Sequence, residues 1–201
     1  VSSSAQSPAA EPARAWPPVE TEPAVPHPNA PAAGSKLGVH YAQCFGCGDE
    51  QEAGLHLQST VGEGRTVHSQ FTVTEAHQGA PGLAHGGLLA CAFDEALGAT
   101  VGNLLRKPAV TGKLETDFRR PVPVGSTLYI TATLDGTAGR KIYVSADGRL
   151  DAEDGPIAVR ARGLFVMVEL EHFTTHGDPN ALEKFREAAA RGNREDWNIN
   201  P

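Results

Sequence analysis

Two stretches of this chain carry residues of the type and spacing that could do chemistry. The first is Gln78-Gly79-Ala80-Pro81-Gly82-Leu83-Ala84-His85-Gly86-Gly87, running straight into Leu88-Leu89-Ala90-Cys91-Ala92-Phe93-Asp94. A glycine-rich turn that opens a helix presents free backbone N–H groups at the positive end of the helix dipole, which suits an oxyanion or a carbonyl oxygen. An aspartate inside an apolar helix is costly to bury unless it is paired or used. Together they point to chemistry on an acyl group, with Asp94 as the reactive carboxylate and the amides at Gly86 and Gly87 facing the oxygen. Each feature also has a plainer reading. Asp94 would be a wet helix edge or half of an ion pair, the glycine pair a tight helix–strand contact, and His85 a helix cap.

The second stretch is Cys44-Phe45-Gly46-Cys47-Gly48. A zinc site wants four ligands, and neither a second CxxC nor a paired-histidine motif follows. His40, His56 or Cys91 are the residues that could be recruited. A redox role lacks its strand–helix context. The expectation is a structural turn, with no metal and no cofactor.

The elements that must position these residues follow from periodicity and breakers. Leu55–Val61 and Thr66–Val73 read as strands around Gly62-Glu63-Gly64, and Val67, Phe71 and Val73 share one face of the second. A helix is predicted from about His85 to Leu105, stopped before Pro108. Strand-like runs follow at Ala109–Phe118, Thr127–Leu134, Lys141–Leu150 and Ile157–Val168. Turn signals separate them at Pro121–Gly125, Asp135-Gly136 and Asp154-Gly155-Pro156. Strands, one long helix, then a run of hairpins predict an α+β fold, an antiparallel sheet wrapped around one long central helix.

On a helical wheel, Gly87 and Asp94 share one face with Ala90, Cys91 and Gly98. Leu89, Phe93, Ala96 and Leu97 form the stripe toward the sheet. Gly87 and Asp94 are still separated by about 10 Å along the axis. One acyl carbon would not reach both on one helix. A symmetric dimer with antiparallel helices would bring the N-terminus of one to Asp94 of the other.

Composition bounds the rest. The 201 residues suit one domain with tails: 1–36 as a disordered Pro/Ala-rich tail, 37–172 as the domain, and 173–201 as a peripheral helix and tail. In that last part Asp178 caps a helix with Pro179 at its first position, running through Leu182, Phe185 and Ala189 to Gly192. A net charge of −7 argues against a general nucleic-acid binder. No run approaches the roughly 18 consecutive apolar residues of a membrane span. Three cysteines make a disulfide framework improbable and fit a reducing, cytoplasmic setting.

His85-Gly86-Gly87, Asp94-Glu95-Ala96-Leu97-Gly98, Phe118-Arg119-Arg120-Pro121-Val122-Pro123 and Gly139-Arg140-Lys141, in that order, resemble the hotdog-fold acyl-CoA thioesterases. The likeness is to the branch that includes thioesterase superfamily members four and five, and it covers about residues 40–168. Cys44–Gly48 with Gly54-Leu55-His56-Leu57 is similar to the opening segment of many members. The resemblance implies a homodimer or a dimer of dimers, and hydrolysis of an acyl-CoA substrate at the subunit interface. It further implies Asp94 as the catalytic carboxylate, His85 as the histidine that helps hold the site, and the Gly86 and Gly87 amides as oxyanion donors. Thr111 resembles the hydroxyl that positions the carboxylate or water. Some members place an Asn or Gln upstream of the HGG to contact the carbonyl; here Gln78 is nearby but offset, and His77 could serve instead.

The expected reaction is thioester hydrolysis, with Asp94 as general base or nucleophile. Arg140 and Lys141 are the cations expected near the CoA phosphates. The alternative is a non-catalytic acyl-CoA binding or sensing protein of the same fold. A hotdog dehydratase would pair an Asp with a His a few residues later on the helix, and none follows Asp94.

Overall fold

Alternation of apolar and polar residues writes the sheet. In a computed structural model that describes residues 15–180 with 182 and 183, the strands are β1 (Gln58–Val61), β2 (Thr66–Thr72), β5 (Ala109–Phe118), β6 (Thr127–Ala138), β7 (Lys141–Leu150) and β8 (Ile157–Met167). A short hairpin, β3 (Gln78–Ala80) with β4 (Leu83–Ala84), leads into the helix α1 (Gly86–Leu105). The six long-range strands form one antiparallel sheet in the order β1-β2-β6-β7-β8-β5. One face buries Val67, Phe71, Leu128, Ile130, Ala132, Leu134, Ile142, Val144, Val159, Ala161 and Phe165. Against them lie Phe93, Leu97, Val101 and Leu104 of α1, which touches β2, β5, β6, β7 and β8. Each large side chain so buried contributes about 1.5–3 kcal/mol.

The helix lies close because the sheet lacks side chains where it passes. A Cβ at Gly148 would come within 2.5 Å of the Phe93 ring, and one at Gly163 within 2.9 Å of Leu97. The α+β layout, a sheet around one long helix, is thus the architecture found. By length and mean hydropathy α1 could cross a membrane, but 67% of its apolar window is buried in the sheet, as a core helix requires.

Several boundaries differ from expectation. Asp135-Gly136 is not a turn. β6 runs through it as a bulge, because Asp135 accepts hydrogen bonds from Trp16 Nε1 (2.8 Å) and Ser145 Oγ (3.0 Å). The hairpin turns instead at Gly139, whose φ of +59° glycine adopts without strain. β1 begins at Gln58, since Leu57 N–H and Leu55 N–H are bonded to the Gly46 and Phe45 carbonyls.

The expected disordered tail 1–36 is corrected for residues 15–36, which take a defined path. Trp16 stands edge-on to Tyr143 at 5.5 Å, on the outer face of the sheet, with the Arg162 guanidinium 5.7 Å from its ring centre. Glu22 pairs with Thr137, His27 N–H donates to Leu104 O, and Ala24 is buried. Prolines forbid a helix here but permit an extended strap. Residues 1–14 lie outside the described residues.

At the other end, a short helix α2 (Glu171–His176) was not anticipated and crosses the expected 172/173 boundary. Asp178 does open a helical turn, accepting from Asn180 N–H on Oδ1 (2.9 Å) and from Leu182 N–H on its carbonyl. Phe185, Ala189 and Gly192 lie outside the described residues.

Candidate active site at the open edge of the sheet

Asp94 stands in the third turn of α1, on the side facing β5. Thr111 of β5 pairs with the buried Phe165, so its side chain points to the helix face of the sheet. Its hydroxyl donates to Asp94 Oδ1 at 2.8 Å. No hydrogen bond to Oδ2 is found among the described residues. Burial pushes the Asp94 carboxyl above its ordinary pKa, the Thr111 hydrogen bond pulls it back, and the charge on Cys44 adds to the rise. The result is a half-buried carboxylate with one oxygen held and one presented. It lies beside β5, an edge strand of ten residues with no outer neighbour among the described residues.

The start of α1 is built by His85. Its backbone N–H donates to His77 O, and its carbonyl accepts from Leu88 and Leu89. Its ring Nδ1 accepts the Gly87 N–H at 2.9 Å, which leaves the ring proton on Nε2. The expected pair of free amides is therefore reduced. Gly87 N–H is occupied by its own cap, and only Gly86 N–H lacks a hydrogen-bond partner among the described residues. The Phe118 ring lies 3.5 Å from where a Gly86 Cβ would stand, and Phe118 is 52% exposed. Phe118 heads the Phe118–Pro123 block, but nothing in the sequence places its ring beside Gly86.

His77 and Gln78 are placed as supports of this turn. His77 is buried. Its Nδ1 accepts from Thr74 N–H (3.0 Å), so its Nε2 donates to Gly54 O (3.3 Å). Gln78 uses its amide oxygen on Gly82 N–H (2.8 Å) and its NH2 on Glu75 O (3.2 Å). Neither side chain presents a free polar atom to a substrate carbonyl in this arrangement. Arg140 and Lys141 occupy the β6–β7 hairpin and are exposed. Lys141 pairs with Val166, which pairs with Val110, so Lys141 points to the outer face, opposite to Thr111. Within one chain these cations and Asp94 do not converge.

The CxxC loop is not an isolated turn. His40 and Glu95 join Cys44 and Cys47 in one cluster. Hydrogen bonding from Cys47 holds the Cys44 thiol down at about 3, against the effect of its burial, while Cys47 is pushed up. Glu95 was missed as a partner. The signal available was a second carboxylate directly after Asp94 in an apolar helix.

Comparison with known proteins bears on this geometry. The family model described as "Thioesterase superfamily" matches residues 81–155, from the turn before α1 into the β7–β8 connection. The acyl-coenzyme A thioesterase THEM4 of Bos taurus is 37% identical over 98 residues, 49% of this chain and 39% of that protein. The acyl-coenzyme A thioesterase THEM5 of Homo sapiens is 30% identical over 94 residues, 47% of this chain and 37% of that one. The chain thus spans about two fifths of the length of these curated relatives. Among solved structures, a thioesterase superfamily protein superimposes with a TM-score of 0.56 at 29% identity, covering 69% of this chain and 70% of its own. The PaaI protein of E. coli, from the phenylacetic acid degradation operon, gives 0.53 at 20% identity, over 60% of this chain and 88% of its own, a likeness of fold alone. Sequence, helix start and sheet order agree: the chain has the hotdog fold, and its residues 81–155 are similar to the thioesterase superfamily.

Proposed function

We propose that the protein hydrolyses acyl-CoA thioesters to the free acid and CoA. The observation that carries this reading is the Asp94 carboxylate, fixed through Oδ1 by Thr111 at 2.8 Å beside an open sheet edge. A thioester has weak resonance and a good leaving group, so modest assistance suffices. Asp94 takes a proton from water as it attacks the carbonyl carbon, or attacks directly, with Thr111 holding the carboxylate in line. The tetrahedral intermediate collapses with loss of the CoA thiolate, which takes up the proton held by Asp94; on the direct route the acyl group is left on Asp94 as an anhydride, which water then hydrolyses to the free acid and the carboxylate. A positioned N–H donor to the developing oxyanion is typically worth about 3 kcal/mol. The Gly86 N–H is the donor available for it, and Gly87 is available when His85 releases its cap.

Along one α1 the helix start and Asp94 are about 10 Å apart. The proposed site is therefore shared. Two β5 edges pair about a two-fold axis, which continues the sheet and lays two α1 helices antiparallel. The exposed Phe118 and Leu83 would be covered in the same step. Because Lys141 faces outward, it and Arg140 would meet CoA phosphates only where the nucleotide leaves the site across that interface.

Release of CoA thiol from a panel of short, long and aromatic acyl-CoAs tests the reading and ranks the substrates. An acyl-CoA sensor would bind without releasing thiol. A carboxylate raised by burial yet kept beside a hydroxyl is of no use to a pure binder, which favours hydrolysis.

A further inference from the structure

We propose that His40, Cys44, Cys47 and Glu95 hold one zinc-type divalent ion that clips the loop of residues 40–48 to the helix carrying Asp94. All four donor atoms lie within 4.8 Å of one another. A tetrahedral zinc with its usual bond lengths places neighbouring donors roughly 3.3–3.8 Å apart. Here His40 Nδ1 is 3.0 Å from Cys47 Sγ and 3.4 Å from Glu95 Oε1, and Cys44 Sγ is 3.3 Å from Glu95 Oε2. The remaining pairs lie within 4.8 Å, so shifts of up to about 1 Å around a central ion would complete the tetrahedron.

The backbone is shaped for this. Gly46 N–H donates to Cys44 Sγ (3.3 Å), and Gly48 N–H donates to Cys44 O (2.8 Å). An amide directed at a cysteine sulfur favours the thiolate a metal needs, and such supporting bonds orient ligands. Gly46 leaves room for the Glu95 carboxylate, since a Cβ there would meet that side chain. Phe45 O and Gly46 O are tied to Leu55 and Leu57, which anchor in the core. The cluster is thus assembled from a preformed turn and a rigid helix, 51 residues apart between Cys44 and Glu95.

The chemistry of the donors selects the ion. Two sulfurs, an imidazole and one carboxylate suit zinc and disfavour calcium or magnesium, which take oxygen. Four protein ligands close the coordination shell, as in structural rather than catalytic sites. A groove of about 950 Å³ lined in part by His40, Cys47 and Glu95 provides an entry path. Asp94 and Glu95 project about 100° apart on α1. An ion on Glu95 therefore fixes the rotation of the helix without occupying the face of Asp94. This inference stands whether or not the protein is a hydrolase.

The test is the metal content of the full chain, purified under reducing conditions without chelator, dialysed after zinc addition and measured by mass spectrometry. One zinc per chain is expected, and cobalt in its place should give the thiolate-to-cobalt charge-transfer band of a tetrahedral site. Cys44→Ser with Cys47→Ser should abolish binding, and Glu95→Gln should weaken it more than about tenfold, the loss seen even for outer partners. Cys91→Ser, outside the cluster, should leave the stoichiometry at one. Should the double variant fail to fold, the native chain still decides. A strong chelator should release the metal and make two further thiols reactive. The proposal is overturned if the zinc-treated chain holds no metal, if the two thiols react equally before chelation, if they form a disulfide, or if the double variant keeps its zinc.

Discussion

Asp94 and Glu95 are neighbours in sequence, yet they lie in two regions of opposite character. Asp94 faces the open β5 edge, with one hydrogen bond from Thr111 and one carboxylate oxygen unengaged among the described residues. Glu95 faces the loop of residues 40–48, where Cys44 and His40 reach both of its oxygens. One helix turn thus supports an unsaturated carboxylate and a saturated one. Saturation restrains, and it is the unsaturated group that retains capacity for chemistry. The restrained region positions the group proposed to react, because both are projected from the same rigid element.

The change expected to break both regions together is Phe93→Ala. Phe93 is fully buried beneath Gly148 and anchors the turn that projects both carboxylates. Its loss should cost about 3–5 kcal/mol by denaturant unfolding. A cost below about 1 kcal/mol would show that α1 is not held through this contact. Thr111→Val acts on the open region alone. It should lower kcat by roughly 10- to 150-fold, the worth of a hydrogen bond to a charged group. Stability should stay within about 0.5 kcal/mol, as is usual for an exposed position. Equal losses of stability and turnover would make Thr111 a structural residue.

Trp16→Ala loosens the strap on the outer face, away from both regions. A stability loss of about 1–2 kcal/mol is expected from lost burial and cation–π contact, with kcat unchanged. A large fall in kcat would mean that the strap reaches the site. Neutralising Arg140 and Lys141 together has the smallest expected effect, a KM for acyl-CoA raised a few-fold with kcat intact. An unchanged KM would remove both from the nucleotide.

The sequence makes the sheet legible where one face is buried. Ala109–Phe118 and Lys141–Leu150 span as the alternation predicts, and α1 ends at Leu105 as Pro108 requires. Legibility fails where a distant partner decides the local outcome. Asp135-Gly136 has turn chemistry, but Trp16, 119 residues away, holds Asp135 in a bulged strand. The Pro-rich segment looks unable to bury anything, yet Trp16 docks on Tyr143 and Ala24 is buried. At the candidate site, the face shared by Gly87 and Asp94 follows from the helical period. That Gly87 N–H is taken by His85 does not, since capping depends on a side-chain rotamer. The His40–Glu95 contact spans 55 positions and has no periodic signature, so the CxxC reads as an ordinary turn until the fold closes it.

Asp94 is the group proposed to turn a binding edge into a hydrolytic one. Its direct test is CoA thiol release by Asp94→Asn beside the parent chain, on the acyl-CoA that the parent cleaves fastest, with binding of that substrate measured in parallel. The account predicts a fall in kcat of about 10²- to 10⁴-fold, the usual contribution of a general base, with affinity nearly unchanged. An Asp94→Asn chain that releases thiol at the parental rate would contradict it.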